Sequence, residues 1–301
     1  MKPISHSHSN ALKRQTFQLL TLFVLGILGS CNWINPPEDV PAFVMLQEPR
    51  VCLDSTCTDI RPHGLKAAWV YREELPVPLG VFGTYSRFPL PDAEQKEIVL
   101  RAGVFENGIS NFIKEYPFLQ QLRYQSSGVK GKTDTLKADF RYLSDSLLSF
   151  PISENFEGQD LQLEPFSVVT DSTRIERSIE SPYEGAYCGK IVLNSNRQLI
   201  QLQSTREFTL PGNGAEVWLE ITTRGDVNVQ AGLVSNQSGN VRVLNQNTIL
   251  KNPDWTQLYL NFTPLVSTYS NGTFRLWLKV EGEGKSGAVY IDRIRLIHFR
   301  Q

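Results

Sequence analysis

Four histidines, four cysteines and thirty-one acidic side chains are the material from which this 301-residue chain could build chemistry. His6 and His8 precede an apolar run near the amino terminus, which leaves His63 and His298, far apart in the chain, for any proton transfer. There is no Gly-x-Ser-x-Gly elbow, no His-Glu-x-x-His helix, no glycine-rich phosphate loop and no Cys-x-x-Cys pair. A glycoside hydrolase needs only two carboxylates, but no spacing marks a pair. Cys52 and Cys57, in Val-Cys-Leu-Asp-Ser-Thr-Cys-Thr, stand at a spacing that lets a disulfide close a small turn. A two-ligand metal site is the rival reading, and no nearby cysteine or histidine pair completes its tetrahedral set. Cys188 has no histidine near it and reads as a small buried residue rather than a nucleophile. Thirty basic residues against thirty-one acidic ones leave no positive excess to neutralise a phosphate backbone, so nucleic acid is not an expected partner.

The aromatic residues carry more information. In the stretch from Ala215 to Thr223, Ala215, Val217, Leu219 and Ile221 share one phase of a period-two pattern, and Glu216, Trp218, Glu220 and Thr222 share the other. Leu258 and Leu260 likewise oppose Gln257, Tyr259 and Asn261, while Leu276 and Leu278 oppose Arg275, Trp277 and Lys279. Val227, Val229 and Ala231 set Asn228 and Gln230 on the polar phase. A ring among amides and carboxylates on a sheet face offers a sugar an apolar platform and hydrogen bonds. Trp218, Asn228, Gln230, Tyr259 and Trp277 are therefore the candidate ligand-binding residues. Burial of these rings by loops, by the first domain or by long neighbours is the competing expectation.

The elements that would hold such residues are strands. After residue 41 no stretch keeps helical periodicity for three turns, and short β-branched or alternating runs recur between Gly, Pro, Asn and Asp clusters. With 41% hydrophobic and 20% charged residues the chain suffices for two ordinary cores. The expected architecture is all-β, with two β-sandwich domains over residues 41–150 and 151–301. Seven or eight strands in the second suit a two-sheet jelly roll. Residues 111–122 stay open between a helical turn and a packed loop. Gly103 and Gly108 are expected at positive φ, and Asn107-Gly108 is a turn signal.

Ahead of these domains, residues 1–16 carry Lys2, Lys13 and Arg14 and no acid, and Phe17 to Leu28 is apolar apart from Gln18 and Thr21. That run is shorter than the ~20 residues a spanning helix needs and reads as an export signal. It ends at Leu28-Gly29-Ser30-Cys31, which resembles the lipobox of bacterial lipoproteins. The resemblance implies cleavage of the signal peptide, residues 1–30, before Cys31 and acylation of that residue, with residues 31–40 as a tether. An ordinary signal peptide is the alternative. Without residues 1–30 the chain carries 27 basic and 31 acidic side chains, net −4, so anionic lipid would not attract it and the anchor must be acyl chains, at ~0.8 kcal/mol per buried methylene.

Two further resemblances concern the folded part. Lys66 to Tyr71, Leu79 to Phe82, Arg101 to Ile109 and Tyr116-Pro117-Phe118 are similar to uncharacterised Bacteroidetes lipoproteins built from a lipobox, a small β-sandwich and a jelly roll. Asn155-Phe156-Glu157, the segment Tyr183 to Leu193, Asp254-Trp255 and Val289 to Leu296 resemble carbohydrate-binding, galactose-binding-like β-sandwiches. This second resemblance implies a structural calcium ion on Glu157 and Asp292, which would need backbone carbonyls to complete six to eight oxygens. Turn hydrogen bonds and pairing with Arg293 and Arg295 are the alternative roles for the two carboxylates. The Asp-Ser/Thr-apolar triplets at Asp54, Asp134, Asp145 and Asp171 match O-glycosylation sites of exported Bacteroidetes proteins. The reading as a whole is a non-enzymatic, lipid-anchored protein of the cell envelope, at the outer membrane, whose second domain binds a glycan or an envelope protein. A structural subunit with no ligand, and after it a glycoside hydrolase, are the alternatives.

Overall fold

The computed structural model describes residues 40–58, 60–61, 63–72, 76–90, 96–166, 175–269 and 272–301. Cys31, His6, His8, the signal segment and the triplet at Asp171 lie outside them. The architecture is all-β. The first part holds β1 (Ala42–Leu46), β2 (Arg50–Cys52), β3 (Ile60–Arg61), β4 (Ala67–Arg72), β5 (Gly80–Gly83), β6 (Arg87–Leu90), β7 (Glu97–Phe105), β8 (Ile113–Glu115), β9 (Leu122–Gln125), β10 (Thr133–Leu136) and β11 (Asp139–Phe140). The second holds β12 (Leu148–Glu154), β13 (Leu163–Pro165), β14 (Glu176–Ser178), β15 (Cys188–Leu193), β16 (Leu199–Ser204), β17 (Val217–Gly225), β18 (Val229–Gln237), β19 (Asn240–Ile249), β20 (Thr256–Asn261), α1 (Thr263–Thr268), β21 (Thr273–Glu281) and β22 (Gly287–Phe299). Pro264 opens α1, where a missing N–H costs nothing, and the helix is six residues long.

In the first sandwich the sheets β10-β1-β6, β11-β2-β3 and β5-β4-β7-β8, with β9 beside β7, enclose one core. Alternation explains the burial: along β1, Ala42, Val44 and Leu46 point inward while Phe43 and Met45 are half-buried. Residues 111–122 contribute β8 and a bridge from Leu119 to Tyr142. Asn107 (φ 57°) and Gly108 (φ 75°) make the expected turn. Gly103 lies in extended β7 instead, where a Cβ would stand 3.2 Å from the Ala67 carbonyl oxygen.

The second sandwich is a jelly roll of two antiparallel sheets. One runs β14-β15-β22-β17-β20, with β12 pairing β22 beyond the end of β15; the other runs β13-β16-β21-β18-β19. Leu219, Ile221, Leu233, Leu276, Leu278, Ile291 and Leu296 fill the space between them. The expected limit between residues 150 and 151 falls inside β12, whose backbone belongs to the second sandwich while the Leu148 side chain packs in the first core. A bulge interrupts the pairing of β17 with β22: Glu220 faces Arg295 and Thr222 faces Asp292, so two β22 residues oppose one, and Arg293 takes φ 48°. The alternation shifts there, and Asp292, Arg293 and Arg295 all serve the outer face of the six-stranded sheet.

Candidate ligand-binding surface

The five residues expected to bind a ligand do not share a surface. Trp218 and Tyr259 stand on the outer face of the six-stranded sheet, and Trp277 and Gln230 on the outer face of the opposite one. Asn228 precedes β18 and accepts the Lys251 N–H at 2.9 Å, which fastens a loop. All three rings are buried, Trp218 at 0%, Tyr259 at 2% and Trp277 at 4% exposure, so the platform expected from them is corrected. Trp277 stands between Gln203 and Gly232 in the register and donates its Nε1–H to Gln201 Oε1 at 3.2 Å; its neighbours cover it.

Trp218 and Tyr259 are covered by the first sandwich. The Tyr116 ring meets Trp218 edge-on at 5.6 Å and Tyr259 at 4.9 Å, and Phe118 meets Phe299 at 5.0 Å. The turn at Asn107 reaches across: its N–H donates to the Tyr259 carbonyl, and its Oδ1 accepts the Asn261 N–H, both at 2.9 Å. Beneath these rings Glu220, fully buried, accepts hydrogen bonds from Tyr116 at 2.5 Å and Tyr142 at 2.6 Å and lies 3.4 Å from Arg295 Nε. Burial by itself would raise the Glu220 pKa; Arg295, Arg293 and the two phenols outweigh it and hold the carboxyl below its ordinary value. Tyr116, Tyr142 and Tyr259 are pushed up by the same burial and by that negative charge, or each other's. The face is polar in sequence and buried in space because an ion-and-phenol network replaces water.

Among the described residues, the contacts at the far end of the same face come from the second sandwich itself. There Tyr290 on β22 stands between Lys190 and Arg224 in the register, and Trp255 leads into β20 on the same side. Tyr183, in the loop 179–187, brings its ring to 5.9 Å from Trp255. The three rings are half-buried. Trp255 donates Nε1–H to the Ser181 carbonyl at 2.9 Å, which fixes its plane, and the Arg224 guanidinium lies 4.1 Å from the Tyr290 centroid and 5.1 Å from that of Trp255. Glu180 accepts from Lys190 and Tyr290, and these bonds hold its carboxyl below the ordinary range. Sequence reasoning missed this set, although Trp255 shares the phase of Tyr259.

Glu157 and Asp292 line one cavity, but their oxygens serve the loop between them. Asp292 Oδ2 accepts the N–H groups of Tyr183 and Glu184 at 3.0 and 3.2 Å, and Oδ1 that of Arg293 at 2.8 Å. Glu157 Oε1 accepts those of Ala186 and Tyr187 at 2.8 and 3.0 Å. Gly185 takes φ 74°, a left-handed conformation that favours glycine, and a Cβ there would displace the Glu157 carboxylate. The loop therefore turns N–H groups toward the carboxylates, the opposite of the carbonyls a calcium ion needs, and Arg293 shares the cavity. This donor set does not fit a hard cation. Burial raises the Asp292 pKa to about 6 against the three N–H bonds, which lower it. Glu154 accepts the N–H groups of Phe156 and Gln162, and Glu184 pairs with Arg293 at 3.1 Å, so each carboxylate of the cavity is engaged.

Cys52 and Cys57 are joined by a disulfide. Their sulfurs and Asp139 form a set close enough to share an ion, and the disulfide removes the thiolates. Cys188 is buried, with its thiol pushed up to about 11 chiefly by that burial. Burial lowers both histidines, His63 to about 4, and His63 Nδ1 accepts the Leu65 N–H at 3.1 Å. Ser55, Thr135 and Ser146 of the described triplets are exposed.

No family model and no curated protein matches this chain. Among solved structures it is similar to the CBM22-1 xylan-binding domain of Paenibacillus barcinonensis Xyn10C, with 13% identity, a TM-score of 0.38, and coverage of 52% of this chain and 97% of that one. The C-terminal family 22 carbohydrate-binding module of Clostridium thermocellum Xyn10B gives 15%, 0.36, 50% and 94%, and TmCBM61, solved with β-1,4-galactotriose, gives 17%, 0.30, 46% and 87%. These neighbours are carbohydrate-binding modules, and likeness of this degree does not carry a ligand preference from one chain to another.

Proposed function

We propose that this chain is a non-enzymatic, lipid-anchored protein of the cell envelope, held at the outer membrane through Cys31, whose jelly roll binds a glycan. The Bacteroidetes lipoprotein kinship is part of the same proposal. The observation that carries the binding role is the half-buried trio of Tyr183, Trp255 and Tyr290 at the far end of the six-stranded sheet, beside Arg224, Lys190 and Glu180. Rings with fixed planes and charged hydrogen-bonding groups at their edges suit the apolar and hydroxyl faces of a sugar. The four carboxylates of the neighbouring cavity are engaged by backbone N–H groups or by Arg293, which favours recognition over acid–base catalysis.

A glycan array probed with the purified full chain tests the binding role. At least one glycan family should bind, and Trp255→Ala should weaken it at least tenfold, about 1.4 kcal/mol. Retention by the variant, or silence across the array, returns the protein to the subunit reading. Metabolic labelling with palmitate tests the anchor: the parent should take up label and Cys31→Ser should not.

A further inference from the structure

Among the described residues, four strand edges of the jelly roll are short, covered or interrupted. β14 and β13 are three residues long, the first carrying Glu176 and Arg177 and the second ending at Pro165. β20 meets the first sandwich through the two hydrogen bonds of Asn107. On the free edge of β12, the Gln162 side chain bonds both the N–H and the carbonyl of Ser153, and Pro151 has no N–H to offer. Such devices stop an edge from pairing with another strand. β19 carries none of them. It is ten residues long, contains no proline and only Arg242 as a charge, and among the described residues pairs with β18 alone. Its register with β18 is regular from Asn240 to Asn245. Val241 and Val243 are 56% and 42% exposed on the face opposite Leu244, which packs in the core, and Leu250 just beyond the strand is 74% exposed.

The outer edge of β19 thus offers a row of N–H and C=O groups and an apolar strip to an incoming strand. The residues along it decide which strand. β19 has no acid to draw a basic partner, and one arginine is too little to select an acidic one. A copy of itself matches it in shape and in its near absence of charge. In an antiparallel pair about a two-fold axis, residues directly opposite share a face. Centring the axis on Arg242 would set two like charges together. Centring it on Val243 sets valine against valine, places Arg242 opposite Leu244 and brings Val241 diagonal to Val243 of the other copy. We propose that the outer edge of β19 pairs antiparallel with the same strand of a second copy, about a two-fold axis at Val243, joining two five-stranded sheets into one. A contact made chiefly of one strand lies at the small end of interfaces, so the association should depend on concentration rather than be permanent. The inference does not rest on the glycan reading.

Sedimentation of the full chain over a concentration series tests it. The parent should pass from monomer to dimer as concentration rises. Val243→Lys and Val243→Asp, both at an exposed position, should each weaken the dimer at least tenfold, since each sets like charges together at the axis. An equimolar mixture of the two variants should recover association, because opposite charges then meet. A parent that stays monomeric, or a dimer indifferent to both variants, overturns the proposal. So does a loss in each variant without recovery in the mixture, which would assign the edge to a partner other than a copy of this chain. Slow amide exchange along β19 in a monomeric parent overturns it too, by giving the edge to a segment of its own chain.

Discussion

The two ends of one sheet face carry the same kinds of residue in opposite states. At one end Trp218, Glu220 and Tyr259 are buried beneath the first sandwich; at the other Trp255, Tyr290 and Glu180 meet solvent. Both ends combine rings, arginines and a carboxylate. What differs is whether another part of the chain completes them. At the covered end the first sandwich supplies Tyr116 and Tyr142, whose hydroxyls donate to the buried Glu220 carboxylate. At the open end the hydrogen bonds come from within the second sandwich, from Glu180 and Ser181 of the loop 179–187, and the rings stay half-buried. Composition on a strand face is therefore ambiguous between an intramolecular seam and a binding site until its cover is known.

Removing one charge at each end should separate the two states most widely. Glu220→Ala leaves Arg295 without its buried counter-charge, and by analogy with other buried pairs should cost about 3–5 kcal/mol in denaturant unfolding. Glu180→Ala, in an exposed pair with Lys190, should leave the unfolding midpoint almost unmoved. Equal losses would mean that the covered end is not a structural seam.

Truncating the rings sharpens the same contrast. Trp218→Ala should cost about 3–5 kcal/mol of stability, as large aromatic truncations do in cores. Trp255→Ala should leave melting close to the parent and lose glycan retention instead. A reversed pattern would exchange the roles of the two ends.

A pH dependence at the seam follows from the burial of His63. His63 stays neutral in the fold down to about pH 4, whereas the unfolded chain takes up its proton near 6.5. The unfolded state thus binds more protons between these values, so this contribution is complete above pH 6.5 and is lost as pH falls toward 4. Asp292 acts in the opposite sense: its folded pKa of about 6 lies above the ordinary 3.8, so its contribution is larger at low pH and declines as pH rises through that interval. Melting curves of His63→Asn, whose side-chain oxygen can still accept the Leu65 N–H, should show less acid destabilisation than the parent. An unchanged acid limb would remove His63 from the account.

Much of the fold was legible because strand burial repeats every two residues. The sorting of Val217, Leu219 and Ile221 from Trp218, Glu220 and Thr222 into inner and outer sets matches the two faces of β17. The strand Asn240–Ile249 is hard to read from sequence because it is a sheet edge with Val241 and Val243 exposed, and so lacks a clean apolar phase. The candidate site was less legible. Phase says that Trp218 and Trp277 both point outward, but not that they leave opposite sheets.

The sequence alone determined strand character, inner and outer phases, the turn at Asn107-Gly108 and the absence of marked catalytic motifs, since these depend on local stereochemistry and spacing. Tertiary structure decided which polar face is a seam and which is a surface. It joined Tyr116 and Tyr142 to Glu220, and through the bulge at Arg293 it gathered Asp292, Arg293 and Arg295 on one side. The reason is physical: burial of a charge depends on partners distant in the chain, and nothing in the few residues around Glu220 records that they will arrive.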